Sequence, residues 1–176
     1  MKPTPEVLQA IETAIQAEKD GLAFYTRAAR ETGDPGGQRM FQSLAADEAA
    51  HLKLFEAVRE SLREQDAWLS LEQVAAISPK RSTRPLFFPV ADKRQGVKVP
   101  QRQLDALQRG IRAEDESIAF YTEQQRQAND PDCQAMYAYL VEQEESHRTI
   151  LQGEYDYLSG TGYWFDMREF DLEAPG

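Results

Sequence analysis

The chain has 176 residues and a formal charge of −10, with 30 acidic residues against 20 lysines and arginines. Such acidity argues against a nucleic-acid or anionic-membrane partner, because both need a basic protein surface. The length suits one sizeable core, so we expect a single domain over residues 1–176. No apolar run approaches the roughly 20 residues that span a bilayer, and the N-terminus lacks the apolar segment of a signal peptide. We therefore expect a cytoplasmic protein.

An internal duplication organises the chain. Sliding the sequence by 96 residues aligns residues 6–62 with residues 102–158 without a gap. The closest match is between AEKDGLAFYT at 17–26 and AEDESIAFYT at 113–122. The sequence therefore predicts two copies of one structural unit.

The first copy predicts a helical hairpin. Apolar residues recur at three- and four-residue steps from Val7 to Tyr25, which is typical of one buried helical face. This helix should end near Gly33, because Asp34 and Pro35 are a good N-cap and a good first helical residue for the next helix. The second helix should extend to about residue 64.

Residues 66–100 differ in composition and predict a connector between the copies. This segment is basic and contains four prolines, and it is too long for an ordinary loop between helices. Residues 67–75 should form a short helix within it. We interpret its positive charge as a contact along the chain's own acidic helices, with an acidic protein partner as the alternative.

The second copy repeats the hairpin, with its break at Asp130 and Pro131. An aromatic tail over residues 159–176 follows, and we expect it to pack on the end of the helices. The predicted fold class is all-α: a four-helix bundle of two repeated helical hairpins joined by a long crossover connector, plus a short C-terminal tail.

The two histidines of the chain each close a Glu-x-x-His motif. Glu48 precedes His51, and Glu144 precedes His147, at the same 96-residue offset (144 minus 48). Residues three apart lie on neighbouring turns of one helical face, so each motif presents a carboxylate and an imidazole together. The motifs therefore predict metal ligation from two helices.

A further glutamate accompanies each motif: Glu18 and Glu114 each lie 30 residues upstream of the motif glutamate (48 minus 18 and 144 minus 114). With a turn near residue 34, positions 18 and 48 fall at the same height of the hairpin and face each other. Four carboxylates and two imidazoles are the ligand pattern of ferritin-like di-iron and di-manganese bundles. We predict a two-metal site with the ligands Glu18, Glu48, His51, Glu114, Glu144 and His147.

Two tyrosines follow the upstream glutamates. Tyr25 and Tyr121 lie seven residues after Glu18 and Glu114, two turns further along the same face. Each phenol is a candidate to hydrogen-bond a ligand carboxylate or to lie near a bound oxidant, with a purely structural place in the core as the alternative.

Two other groups have structural interpretations. Cys133, the chain's only cysteine, falls in the first turn of the fourth helix, where the helix dipole can lower a thiol pKa. We interpret it as a structural thiol, because it lies outside the metal layer. Five further acidic residues point away from the site by helical angle and predict a solvated face: Asp20, Asp47, Asp115, Glu116 and Glu145.

At these motifs the sequence resembles the rubrerythrin branch of the ferritin-like di-iron carboxylate superfamily. The likeness covers both hairpins, and the tail sequence GYWFD at 162–166 is similar to that branch. The resemblance implies a ferritin-like bundle in which the connector runs along the helices and a pseudo-two-fold axis passes through the metals. It also implies the six ligands named above and a homodimer, in some members with exchanged hairpins.

Two departures from the family pattern bear on function. A full rubrerythrin carries a four-cysteine rubredoxin module that delivers electrons, whereas Cys133 is alone here. Rubrerythrins also tend to carry an extra glutamate one turn after the third-helix ligand, where this chain has Ser117, matching Gly21 in the first copy. We therefore expect six protein ligands and electrons from an external electron-donor protein.

The resemblance and the ligand set together predict an oxidoreductase that reduces hydrogen peroxide or O₂ at two iron ions. Manganese and zinc are alternative metals, because they accept the same oxygen and nitrogen donors. Two other functions fit the same residues: a ferroxidase or iron-handling protein, in which iron is the substrate, and a non-catalytic bundle that binds metal structurally.

Overall fold

The computed structural model describes residues 3–78 and 99–160. Over these residues the chain forms five helices and no strand. The helices are α1 (Pro5–Glu31), α2 (Pro35–Gln65), α3 (Leu71–Ile77), α4 (Gln101–Gln127) and α5 (Pro131–Ser159). None of the described helices is both long and apolar enough to cross a membrane. The predicted all-α class with two helical hairpins is confirmed, while the predicted packing of the tail lies outside the described residues.

The hairpins turn where the capping residues predict. The Asp34 side chain accepts a hydrogen bond from the backbone N–H of Gly37 at 2.8 Å, and a proline follows Asp34 at the start of α2. At the start of α5, Asp130 accepts from the backbone N–H groups of Asp132 and Cys133 at 2.9 and 3.2 Å. These carboxylates satisfy N–H groups that have no partner within the helix, so each helix begins at its cap.

The short helix of the connector starts later than predicted. We expected it over residues 67–75, whereas α3 covers Leu71–Ile77. Ser70 and Gln73 form a capping box, in which each side chain accepts a hydrogen bond from the other residue's backbone N–H. This pair sets the first turn of α3. The helix buries Val74 and packs against α2 and α5.

Contacts between the hairpins define how they are oriented. Tyr25 of α1 reaches Glu114 of α4, whereas Glu18 of α1 is reached by Tyr121 of α4. The two helices therefore run in opposite directions, and each is also antiparallel to its own hairpin partner. It follows that the end of α2 and the start of α4 lie at opposite ends of the bundle. The connector joins these two ends.

The core consists of two apolar clusters separated along the bundle. The cluster at the α3 end, here called the Phe55 cluster, comprises Ile11, Ala14, Ile15, Leu54, Phe55, Val58, Leu62, Leu69, Val74, Tyr121, Cys133, Met136, Tyr137 and Leu140. The cluster at the other end, the Phe41 cluster, comprises Tyr25, Ala28, Ala29, Met40, Phe41, Leu44, Leu107 and Leu151. The positions between them on each long helix are occupied by a layer of ionisable side chains.

Candidate metal centre

Each of the four long helices contributes to this ionisable layer between the apolar clusters. Its members are all at most 5 % exposed: Glu18, Glu48, His51, Glu114, Glu144 and His147. These are the six side chains singled out from the sequence as metal ligands, and the fold brings all of them together. Burial of so many ionisable groups is costly unless each has a charge partner or binds a metal.

The ligand atoms form two overlapping groups. One group comprises Glu18, Glu48, His51 and Glu144, and the other comprises Glu48, Glu114, Glu144 and His147. Within each group the ligand atoms lie within 4.8 Å of one another. Glu48 and Glu144 occur in both groups, so each has the place of a carboxylate that bridges two ions.

Both histidines turn their Nδ1 atoms towards these carboxylates. His51 Nδ1 lies 3.2 Å from Glu144 Oε1 and 3.6 Å from Glu18 Oε2. His147 Nδ1 lies 2.9 Å from Glu144 Oε2 and 3.3 Å from Glu48 Oε1. Each histidine therefore faces the motif glutamate of the other hairpin. This pairing requires α2 and α5 to run in opposite directions. The two imidazole rings stack at 5.7 Å between centroids.

Several atoms of the layer are buried without a hydrogen bond of suitable geometry. Among the described residues these atoms are Glu18 Oε2, His51 Nδ1, Glu144 Oε2, and both His147 Nδ1 and His147 Nε2. Leaving a buried polar group unsatisfied costs about 1–3 kcal/mol. Carboxylate oxygens and imidazole nitrogens are donors that iron, manganese and zinc all accept. The donor set therefore fits a pair of divalent ions.

Burial and crowding change the pKa values in the layer. Burial and then repulsion from Glu144 raise the pKa of Glu48 well above its usual range and that of Glu114 to about 8. Burial also opposes the charge on Glu144, but its contacts with His147 and His51 outweigh burial and lower its pKa. Likewise, burial alone would lower the pKa of each histidine, whereas the carboxylates around it raise that pKa well above its usual range. At neutral pH the metal-free layer therefore holds protons that bound metal ions would displace.

The two tyrosines join the hairpins across the bundle. The Tyr25 hydroxyl donates a hydrogen bond to Glu114 Oε1, and the Tyr121 hydroxyl donates to Glu18 Oε1. Burial, followed by the charge of nearby carboxylates, raises the pKa of both phenols well above its usual value, so both stay protonated donors. Each ring is also part of an apolar cluster. The structure thus places both phenols on carboxylates of the layer and within the core.

Asp47 corrects one interpretation of the sequence. We predicted that it points away from the site, but its Oδ2 atom lies 3.4 Å from His147 Nε2. Asp47 precedes Glu48 and so lies about 100° around α2, which directs it towards α5 because α5 packs on that side. A carboxylate beside the outer nitrogen of a ligating histidine orients the ring and makes it a better donor. The other four acidic residues of the predicted solvated face are exposed.

The equivalent of Asp47 in the second copy is Gln143 (143 minus 47 is 96). A carboxylate at this place is therefore present in one copy of the motif alone. This difference breaks the symmetry that the duplicated ligands otherwise give the site. No single-helix pattern indicates the contact, because it depends on which neighbouring helix lies beside α2.

Gly21 determines how much room Glu48 has. A Cβ atom at position 21 would lie 3.0 Å from Glu48 Oε2 and 3.2 Å from its Cδ. Such contacts are tighter than most real Cβ contacts, so a larger residue there would require the Glu48 carboxylate to shift by a few tenths of an ångström. Ser117 has the equivalent position on α4.

Cys133 is a buried free thiol in the Phe55 cluster. Burial, with a smaller effect from the charge of Asp130, raises its pKa to about 12. Burial therefore outweighs any lowering by the dipole of α5, and the thiol stays protonated at neutral pH.

Residues 2–65 match the protein-family model described as Rubrerythrin. The match covers α1 and α2 and includes Glu18, Glu48 and His51. The resemblance drawn from the sequence is therefore confirmed over the first hairpin. Comparison with curated proteins and with solved structures gave no match.

Proposed function

We propose that this chain, rubrerythrin-like in its first hairpin, is a di-iron carboxylate protein that reduces hydrogen peroxide or O₂ with electrons from an external donor protein. The observation that carries the proposal is the pair of overlapping ligand groups that share Glu48 and Glu144. Shared carboxylates hold two ions as one unit, which suits a reaction that transfers two electrons to one O–O bond. The family match supports iron as the metal.

The two positions follow from the two groups. Glu48 and Glu144 would bridge, Glu18 and His51 would complete one position, and the remaining pair from α4 and α5 would complete the other. When bound, a pair of ferrous ions supplies two electrons and Lewis acidity. Carboxylates suit these ions, because hard anionic donors tolerate both oxidation states and can shift between terminal and bridging modes.

The surrounding residues orient this ligand layer and keep water away from it. The Tyr121 hydroxyl holds Glu18 by its Oε1 atom, which leaves Glu18 Oε2 without a hydrogen bond and 3.6 Å from His51 Nδ1. The apolar clusters above and below the layer exclude water, and electrostatic interactions strengthen in such an environment. The layer is thus oriented before a metal or an oxidant enters.

Metal content and the optical spectrum of the natively purified chain, before and after adding hydrogen peroxide, test the proposal. We expect two irons per chain and a visible absorption that develops as ferrous iron is oxidised by peroxide or O₂. Stoichiometric zinc with no visible absorption would show a structural metal site instead. Accumulation of many irons per chain in a cage-forming assembly would show an iron-handling protein. Iron that peroxide and O₂ leave ferrous would overturn the proposed reaction.

A further inference from the structure

Aromatic rings connect the metal centre to one side of the bundle. Tyr121, whose hydroxyl bonds Glu18, has its ring centroid 6.0 Å from that of Tyr137, and Tyr137 lies 6.4 Å from Trp68. Phe55 packs beside both tyrosine rings at 5.5 and 6.3 Å. Tyr121 and Tyr137 are buried, whereas Trp68 is partly exposed. The rings therefore form a continuous series from a buried carboxylate to an indole at the surface.

The chain between α2 and α3 holds Trp68 in place. Asp66 ends α2 with a left-handed backbone conformation (φ 53°), which turns the chain out of the helix. The Ser61 hydroxyl then donates a hydrogen bond to the carbonyl of Ala67 at 2.8 Å. The Trp68 ring packs against the Phe55 cluster, so its contact with Tyr137 is part of the packed core.

The equivalent place in the first copy has different chemistry. Tyr25, the counterpart of Tyr121, has the rings of Phe24 and Phe41 beside it at 5.1 and 6.2 Å. Phe41 is the counterpart of Tyr137 in the duplication. Among the described residues, no tryptophan ring contacts Phe24 or Phe41, whereas Trp68 contacts Tyr137. The two tyrosines thus make equivalent hydrogen bonds but differ in the aromatic rings that pack against them.

We infer that Tyr121 and Trp68, bridged by the Tyr137 ring, carry oxidising equivalents from the metal centre to the surface. This inference rests on the proposed function. Reduction of hydrogen peroxide to two waters takes two electrons and two protons. Where bound metal ions would supply only one of these electrons, Tyr121 supplies the second, and its phenol proton moves along the hydrogen bond to Glu18. The two protons that form water come from solvent, and the external donor protein of the proposed function would replace the electron taken from the metal ions.

Trp68 restores Tyr121 in the next step. One electron passes from the Trp68 indole across the Tyr137 ring to the Tyr121 radical, which takes its proton back from Glu18. The oxidised indole is then reduced at the surface by an external one-electron reductant, such as a thiol or a small phenol. Over the cycle one electron moves inwards, and Tyr121, Glu18 and Trp68 return to their starting states.

A flash-quench experiment tests the path without iron chemistry. The full-length chain is loaded with zinc, which fills N/O sites but has no redox activity. Trp164→Phe leaves Trp68 as the only tryptophan, since the chain has two. A photogenerated ruthenium(III) polypyridyl complex oxidises Trp68, and transient absorption follows the decay of the tryptophan radical and the rise of a tyrosyl radical. Because the same contacts serve both directions, hole transfer from Trp68 to Tyr121 measures the proposed path.

Matched variants separate the path from general effects on folding. In the Trp164→Phe background, we expect Tyr121→Phe to lengthen the tryptophan-radical lifetime by about tenfold or more and to remove the tyrosyl signal. Tyr25→Phe removes the equivalent hydrogen bond and should leave the lifetime unchanged. Tyr137→Phe keeps the bridging ring and should also have little effect, whereas Tyr137→Leu should slow the decay.

Several results would overturn the inference. These are an unchanged lifetime in Tyr121→Phe, an equal effect of Tyr25→Phe, and slowing by Tyr137→Phe that matches Tyr137→Leu. The zinc-loaded chain reports on the path whatever iron does, so failure of the path and failure of the proposed peroxide chemistry give separate results.

Discussion

Glu48 and Glu144 differ from the other ligand residues because each contributes to both groups of the candidate centre. In the proposed two-metal site, loss of either carboxylate would remove a donor from both metal positions at once. Loss of Glu18 or Glu114 would remove a donor from one position. The roles of these four glutamates can therefore be distinguished by the amount of metal that each variant retains.

We expect Glu48→Ala and Glu144→Ala each to lose both metals. Metal analysis of natively purified variants measures this loss. Glu145→Ala, which removes an exposed carboxylate next to Glu144, is the matched control and should retain the wild-type metal content. Stoichiometric metal in Glu48→Ala would contradict the bridging assignment.

The hydrogen bond from Tyr25 to Glu114 should contribute measurably to stability, since both groups are buried. Tyr25→Phe keeps the ring in the Phe41 cluster but leaves Glu114 without its donor. We expect the free energy of unfolding of the metal-free chain to fall by about 1–3 kcal/mol in denaturant titrations. Tyr155→Phe is the control, because it removes a partly buried hydroxyl that accepts a hydrogen bond from Gln108. It should lower the free energy of unfolding by less than Tyr25→Phe does. An equal cost in the two variants would exclude a special contribution from the Tyr25 bond.

At the scale of elements, the two hairpins are defined by their caps. Asp34 and Asp130 occupy equivalent positions in the duplication, and both accept hydrogen bonds from the first turn of the following helix. This equivalence explains why both copies turn at the same place. Along each long helix, apolar positions on either side of the ligands then create the two apolar clusters and leave the ligand layer between them.

Removing either cap should weaken its hairpin by a similar amount. We expect Asp34→Ala and Asp130→Ala each to lower the free energy of unfolding by about 1 kcal/mol. Thermal or denaturant unfolding of the metal-free chain measures the effect. Asp20→Ala, in the exposed middle of α1, is the control and should change stability little. A cap variant as stable as wild type would show that packing alone sets the turn.

At the scale of the whole molecule, the ligand layer links stability to pH. The pKa of Glu114 rises from 4.5 to about 8 on folding. Its protonation therefore contributes fully to folding stability below about pH 4.5, and this contribution is lost as pH rises through 8. The raised pKa of Glu48 acts in the same direction. Each histidine also has a raised pKa, so its contribution is complete below about pH 6.5 and is lost at higher pH. The lowered pKa of Glu144 gives a contribution that is already complete above about pH 4.5.

The melting temperature of the metal-free chain should therefore fall as pH rises from about 5 to 9. Saturating metal should reverse this trend, because metal displaces the same protons and binds more tightly at higher pH. Calorimetry with and without metal at each pH measures both effects. A metal-free melting temperature that rises over this range would contradict the assigned protonation of the layer.

The homodimer implied by the family resemblance stays a prediction, which sedimentation would test.

The sequence by itself determined the four long helices, their two turns and the six residues that meet in the buried ionisable layer, whose role as metal ligands stays a prediction. These features are local or repeated: helical periodicity and caps depend on nearby residues, and the duplication marks equivalent positions such as Glu48 and Glu144. A spacing of three residues places a carboxylate and an imidazole on one helical face whatever surrounds the helix.

Only the tertiary structure decided which groups meet across helices. The antiparallel contact of α2 with α5 places Glu48 and Glu144 in both ligand groups and brings Asp47 to His147, against the prediction. The path from Tyr121 to Trp68 likewise depends on how the segment after α2 packs on α5. The physical reason is that helical spacing specifies directions around one axis, whereas contacts between helices depend on their register and crossing, which packing of the whole core determines.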